Sequence, residues 1–101
     1  MPDGNKIVYL PAAERDLSEI VEYISRNSPS AALSLLEKID EDISRLAEFP
    51  QIGKTPKDSR LQELGYKMLV IKNYLVFYVL KQNTVEIRRV IHGKRRFEFL
   101  F

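Results

Sequence analysis

The chain contains no cysteine, a single histidine and four glycines. Without cysteine there is no disulfide, no thiolate nucleophile, no zinc ribbon and no iron–sulfur cluster. His92 alone cannot build a two-histidine metal centre, and no metal or other cofactor is expected. The glycines spell neither G-x-x-x-x-G-K-[ST] nor G-x-G-x-x-G, so the common nucleotide-binding fingerprints are missing. No apolar run reaches the roughly 18–20 residues of a membrane span. Met1 to Lys6 lack the apolar stretch of a signal peptide, which predicts a cytoplasmic protein.

What is present is one domain's worth of sequence, residues 1–101, 45% hydrophobic and 30% charged. The net charge of +2 hides an asymmetry. Residues 1–53 hold 5 Lys/Arg against 10 Asp/Glu, and residues 54–101 hold 11 against 4. One half is therefore net −5 and the other net +7. A domain polarised in this way presents its basic side to a polyanion or an acidic partner.

Lys6 to Leu10 is rich in β-formers and reads as a first strand. Pro11 opens a helix whose stripe is Leu17, Ile20, Val21 and Ile24, ending about Ser25, with Glu14 and Asp16 in its first turn. Asn27-Ser28-Pro29 breaks the chain, and Ser28 is placed to cap a second helix. Its stripe is Leu35, Leu36, Ile39, Ile43 and Leu46, ending near Phe49-Pro50. The short connection forces the pair antiparallel. Gln51 to Glu63 is polar and reads as a loop holding Lys54, Lys57 and Arg60. Strands follow at Tyr66–Ile71, Tyr74–Leu80 and Val85–Ile91, joined by hairpins. The order βααβββ predicts an α+β domain, a helical hairpin packed on a mostly antiparallel sheet of about four strands. Tyr74–Leu80 is apolar on both faces, and the helices can cover only one. A loop, the tail or a partner must cover the other.

The densest chemistry lies at residues 88–97, where Arg88, Arg89, Lys94, Arg95 and Arg96 surround His92 and end at Phe97. Strand alternation sends Arg88 and Arg89 to opposite faces and puts Arg88 with Val90 and His92. Lys67, on a neighbouring strand, can join them. Arginines grip phosphate by a planar fork, and Phe97, Phe99 and Phe101 offer flat faces for unstacked bases. Such a set can cleave RNA without metal: cations neutralise the pentavalent phosphorane, and His92 serves as base or acid. Asp16, Glu19, Glu22 and the run Asp40-Glu41-Asp42 are expected on outer, solvated helix faces.

The segments A-A-E-R-D-L-S-E-I-V-E-Y-I, I-S-R-L-A-E-F-P-Q-I-G, N-Y-L-V-F-Y and E-I-R-R-V-I-H-G-K-R-R resemble the RelE/ParE superfamily of bacterial type II toxin–antitoxin toxins, from about Val8 to the C-terminus. The resemblance implies a compact toxin held inactive by a cognate antitoxin in a hetero-oligomer. It also implies one of two activities. RelE-like members cut messenger RNA in the ribosome and so inhibit translation; ParE-like members poison DNA gyrase. The leading expectation is the ribosome-dependent mRNA endonuclease. Its catalytic set would be His92, Arg95, Arg89 and Lys67, with Arg60, Arg88, Lys94, Arg96, Phe97 and Phe101 binding RNA. The gyrase poison, or a degenerate toxin that only binds its antitoxin, is the alternative. Leu75 stands where the best-studied RelE-like members carry a catalytic arginine, and Phe101 lacks the hydroxyl of their tyrosine.

Overall fold

Two helical stripes and one strand apolar on both sides dictate a layered arrangement, and the computed structural model, which describes residues 4–94, has it. Strand β1 (Lys6–Tyr9) leads into helix α1 (Pro11–Ser25) with Pro11 in its first turn. Helix α2 (Pro29–Ser44) starts at the Ser28 cap, whose hydroxyl accepts from the Ala31 N–H at 3.2 Å. A 3₁₀ turn at Arg45–Ala47 then carries the chain to the Phe49-Pro50 break. Strands β2 (Tyr66–Ile71), β3 (Tyr74–Lys81) and β4 (Thr84–His92) complete a four-stranded sheet in the order β1-β4-β3-β2. β1 runs parallel to β4; the other pairs are antiparallel. Among the described residues no helix is long and apolar enough to cross a membrane.

The helical hairpin covers one face. Ala13, Leu35, Ile39, Ile43 and Leu46 meet Ile71, Val76, Tyr78, Val85, Ile87 and Val90 there. A second cluster of Phe77, Val79, Ile91 and Tyr66 lies on the opposite face, closed by Leu61. Leu61 belongs to a short helix, α3 (Ser59–Glu63), inside the segment expected to be loop. Five residues are too few to show a helical period. The local signal was the cap, where the Asp58 carboxylate accepts from the Leu61 N–H at 3.1 Å. A loop and α3 therefore cover part of the second face.

The register along β4 shifts by one residue: Tyr78 faces Ile87, and Phe77 faces Arg89. Arg88 is the additional residue, a β-bulge. Simple alternation fails past this point. Ile87 and Val90 both enter the helix-side core, while Arg88 reaches Tyr66 on the other face. His92, paired with Tyr74, shares the helix side with Val90, so the expected grouping of Arg88 with Val90 and His92 does not hold.

Tyr78 ties the sheet to the loop after α2. Its hydroxyl donates to the Pro50 carbonyl at 2.8 Å and accepts from the Gly53 N–H at 3.0 Å. A Cβ on Gly53 would lie 2.5 Å from that hydroxyl oxygen. Gly53→Ala should therefore destabilise by about 1–3 kcal/mol, the usual range for forced overpacking, measured by urea unfolding. A wild-type midpoint would show that this contact relaxes freely.

Burial raises the pKa values of Tyr9, Tyr74 and Tyr78 above the ordinary 10.0, and Tyr9 is raised further by its bond to Asp40. A phenol raised by folding favours the native state below its unfolded pKa. That contribution fades as pH climbs from about 10 through the folded value. Thermal stability should thus fall between about pH 10 and 12, with a shallower slope in Tyr9→Phe. A pH-independent melting temperature across that window would contradict the assignment.

Candidate functional site

Asp16 lies three residues after buried Ala13 and four before Ile20, which places it on the inner stripe of α1. It is not on the outer face, as its charge had suggested. One carboxylate oxygen accepts from Arg89 Nε at 2.7 Å and from the Val90 backbone N–H at 2.9 Å. The other accepts from Arg89 Nη2 at 2.9 Å. The two side chains are only 11% and 19% exposed. The hydrogen bonds that Arg89 donates to Asp16 raise the Arg89 pKa, so this guanidinium stays charged. Its fork is committed to a carboxylate inside the protein.

Arg88, across the bulge, is engaged on the second face. It makes a two-pronged contact to Glu86 Oε1, at 2.7 and 3.1 Å, and its guanidinium lies 5.6 Å from the Tyr66 ring centroid. His92 Nδ1 accepts from the Lys94 N–H at 3.2 Å, and the ring stands edge-on to Tyr74, centroids 5.2 Å apart. In a neutral ring this bond favours the tautomer with its proton on Nε2.

Lys67 shares a cross-strand row with Tyr78 and Ile87, on the helix side, and β3 separates it from β4. Arg60 sits on α3, and Lys94 is exposed just past β4. The structure therefore does not gather Lys67, Arg89 and His92 around one phosphate. Arg95, Arg96, Phe97 and Phe101 lie outside the described residues.

A different surface is assembled around Leu75, on the second face. Leu75 and Met68 floor a groove of about 650 Å³ walled by the 54–58 segment, including Lys54 and Lys57. On the other side of Leu75 a smaller groove of about 230 Å³ is bordered by Val70, Lys72, His92 and Lys94. Val70 is 53% exposed. Among the described residues Lys54, Lys57, Lys72 and Lys94 make no ion pair. An apolar floor with an ammonium rim can hold an amphipathic acidic segment or a polyanion. These lysines are scattered in sequence, over a loop, a hairpin turn and a strand end, so no local motif marked them.

Asp16→Asn should destabilise the fold by about 2–4 kcal/mol, somewhat below the cost of breaking a fully buried pair because this one is partly solvated. A double-mutant cycle with Arg89→Gln should give a coupling energy of at least about 1 kcal/mol. Additive effects in urea unfolding would mean the pair does not couple.

Comparison with known proteins agrees with this architecture. A family model described as the ParE toxin of the type II toxin–antitoxin system parDE matches residues 7–97. Toxin RelE2 of Caulobacter vibrioides is 30% identical over 90 residues, 89% of this chain and 97% of that protein. Y4kP of Sinorhizobium fredii is 31% identical over 84 residues, 83% of each chain. Among solved structures, a chain of the chromosomal ParDE system of P. aeruginosa superposes with a TM-score of 0.72 at 18% identity. That match covers 92% of this chain and all of that one. The RelBE2 toxin–antitoxin complex of Mycobacterium tuberculosis gives 0.58 at 25% identity, covering 88% of this chain and 98% of that one. With family model, relatives and fold in agreement, this chain belongs to the ParE toxin family, within the RelE/ParE superfamily of type II toxin–antitoxin toxins.

Proposed function

We propose that this toxin arrests growth in the cytoplasm by binding DNA gyrase, not by acid–base cleavage of mRNA, and that an antitoxin restrains it. One observation carries the choice. The guanidinium of Arg89, which a nuclease would aim at the scissile phosphate, is held in both prongs by Asp16. Lys67 lies on the far side of β3, and His92 spends Nδ1 on the Lys94 N–H. A binder needs none of these groups to converge. It needs a rigid surface with an apolar floor and charge at its rim, which the Leu75 groove supplies.

The same groove suits an antitoxin segment that is amphipathic and acidic. Its apolar stripe would meet Leu75 and Met68, and its carboxylates would meet Lys54, Lys57, Lys72 and Lys94. Docking there would inhibit directly, because target and antitoxin compete for one surface. Both superposed structures come from toxin–antitoxin systems, which supports such a partner.

The ribosome-dependent mRNA endonuclease is the second reading, favoured by the lysine rim, which suits a phosphate backbone. Expression without antitoxin separates the two. Purified toxin should inhibit gyrase supercoiling, primer extension should reveal no new mRNA 5′ ends, and His92→Gln should stay fully toxic. New 5′ ends that vanish in His92→Gln would overturn the gyrase reading in favour of the nuclease. No growth arrest at normal expression would reduce the chain to an antitoxin binder.

A further inference from the structure

A second cleft lies on the helix side, where the last turns of α1 pass the end of β4. Its volume is about 370 Å³. Tyr23, Tyr74 and His92 give it aromatic walls, Ile20 and Val90 an apolar base, and Glu19 an acidic edge. Tyr23 is 69% exposed, an unusual position for a large ring with no hydrogen-bond partner among the described residues. Tyr74 meets His92 edge-on, so the ring faces are not stacked on each other.

The charge of this cleft is opposite to that of the Leu75 groove. The carboxylate of Asp16 is answered by Arg89. That of Glu19 has no ion pair among the described residues, although it lies near enough to Arg89 to raise that group's pKa. An anion entering would meet the carboxylates of Asp16 and Glu19. A purely apolar side chain would make no use of the exposed Glu19 carboxylate. A flat, weakly hydrated cation satisfies both parts, because a guanidinium stacks on a tyrosine face while its edge pairs with a carboxylate. Four of the eight lining residues, Asp16, Glu19, Ile20 and Tyr23, come from the chain's first half, which is net −5 and draws a cation toward it.

We propose that this cleft is a recognition site for an arginine side chain presented by a protein partner, with Tyr23 and Tyr74 as its stacking walls and Glu19 as its counter-ion. The cleft meets the smaller groove beside Leu75 only at His92, which borders both, and it does not depend on which target the toxin poisons. It makes contact with a partner two-sided: acidic segments on the basic face, a basic side chain at the acidic–aromatic cleft.

The test uses the intact protein and N-acetyl-argininamide as probe, followed by NMR of the aromatic and backbone resonances, with the lysine and leucine analogues as comparators. The expected result is saturable shifts at Tyr23, Tyr74 and His92, strongest for the arginine analogue. Glu19→Gln should weaken binding by about two- to fivefold, the range of one exposed ion pair. Tyr23→Ala, at an exposed position that leaves the core intact, should weaken it by a similar factor. Equal binding of the leucine analogue, or no saturable shift, would overturn the proposal. So would tighter probe binding by Arg95→Ala/Arg96→Ala, which would make the chain's own arginines the occupants.

Discussion

Asp16 joins the helical layer to the sheet at the place where the sheet is irregular. A carboxylate on the inner stripe of α1 binds the Arg89 fork and the Val90 backbone N–H together, next to the bulge at Arg88. Such a pair adds little net stability compared with apolar packing, but removing one partner strands the other charge in a half-dry site. The bulge lets Ile87 and Val90 both face the helices despite their odd spacing, and it sends Arg88 to the opposite face. The distribution of side chains over the functional surfaces follows from that one shift.

β3 makes the second face possible. Its buried residues alternate between the helix-side core, which takes Val76 and Tyr78, and the opposite cluster, which takes Phe77 and Val79. α1 and α2 satisfy the first set. Among the described residues the second is covered in part, by α3 and the segment before it, and Leu75 lies half-buried at the join of two grooves. An apolar face rimmed by lysines that make no ion pair among the described residues has the chemistry of a binding surface.

The two open sites differ in chemistry and meet only at His92, which borders both. The Leu75 groove is rimmed by ammonium groups; the cleft at Tyr23 is aromatic and edged by Glu19. The cleft takes Asp16, Glu19, Ile20 and Tyr23 from the acidic first half of the chain, and the four lysines around Leu75 all come from the basic second half.

Periodicity and caps carried most of the architecture. The stripes at Leu17–Ile24 and Leu35–Leu46, the Ser28 cap and the two-sided strand at Tyr74–Leu80 are local patterns, and a local pattern is enough to assign a helix or a strand. The family resemblance was legible for the same reason, in the order of those segments. Asp16 was half-legible: its spacing from Ala13 and Ile20 put it inside, but its charge argued for solvent, and only a partner 73 residues away resolved the conflict. The bulge at Arg88, the commitment of Arg89, the separation of Lys67 from His92 and the gathering of Lys54, Lys57, Lys72 and Lys94 were decided by tertiary structure alone. Each depends on the register between strands or on the folding of a loop over a face, and neither quantity has a period that a one-dimensional chain can display.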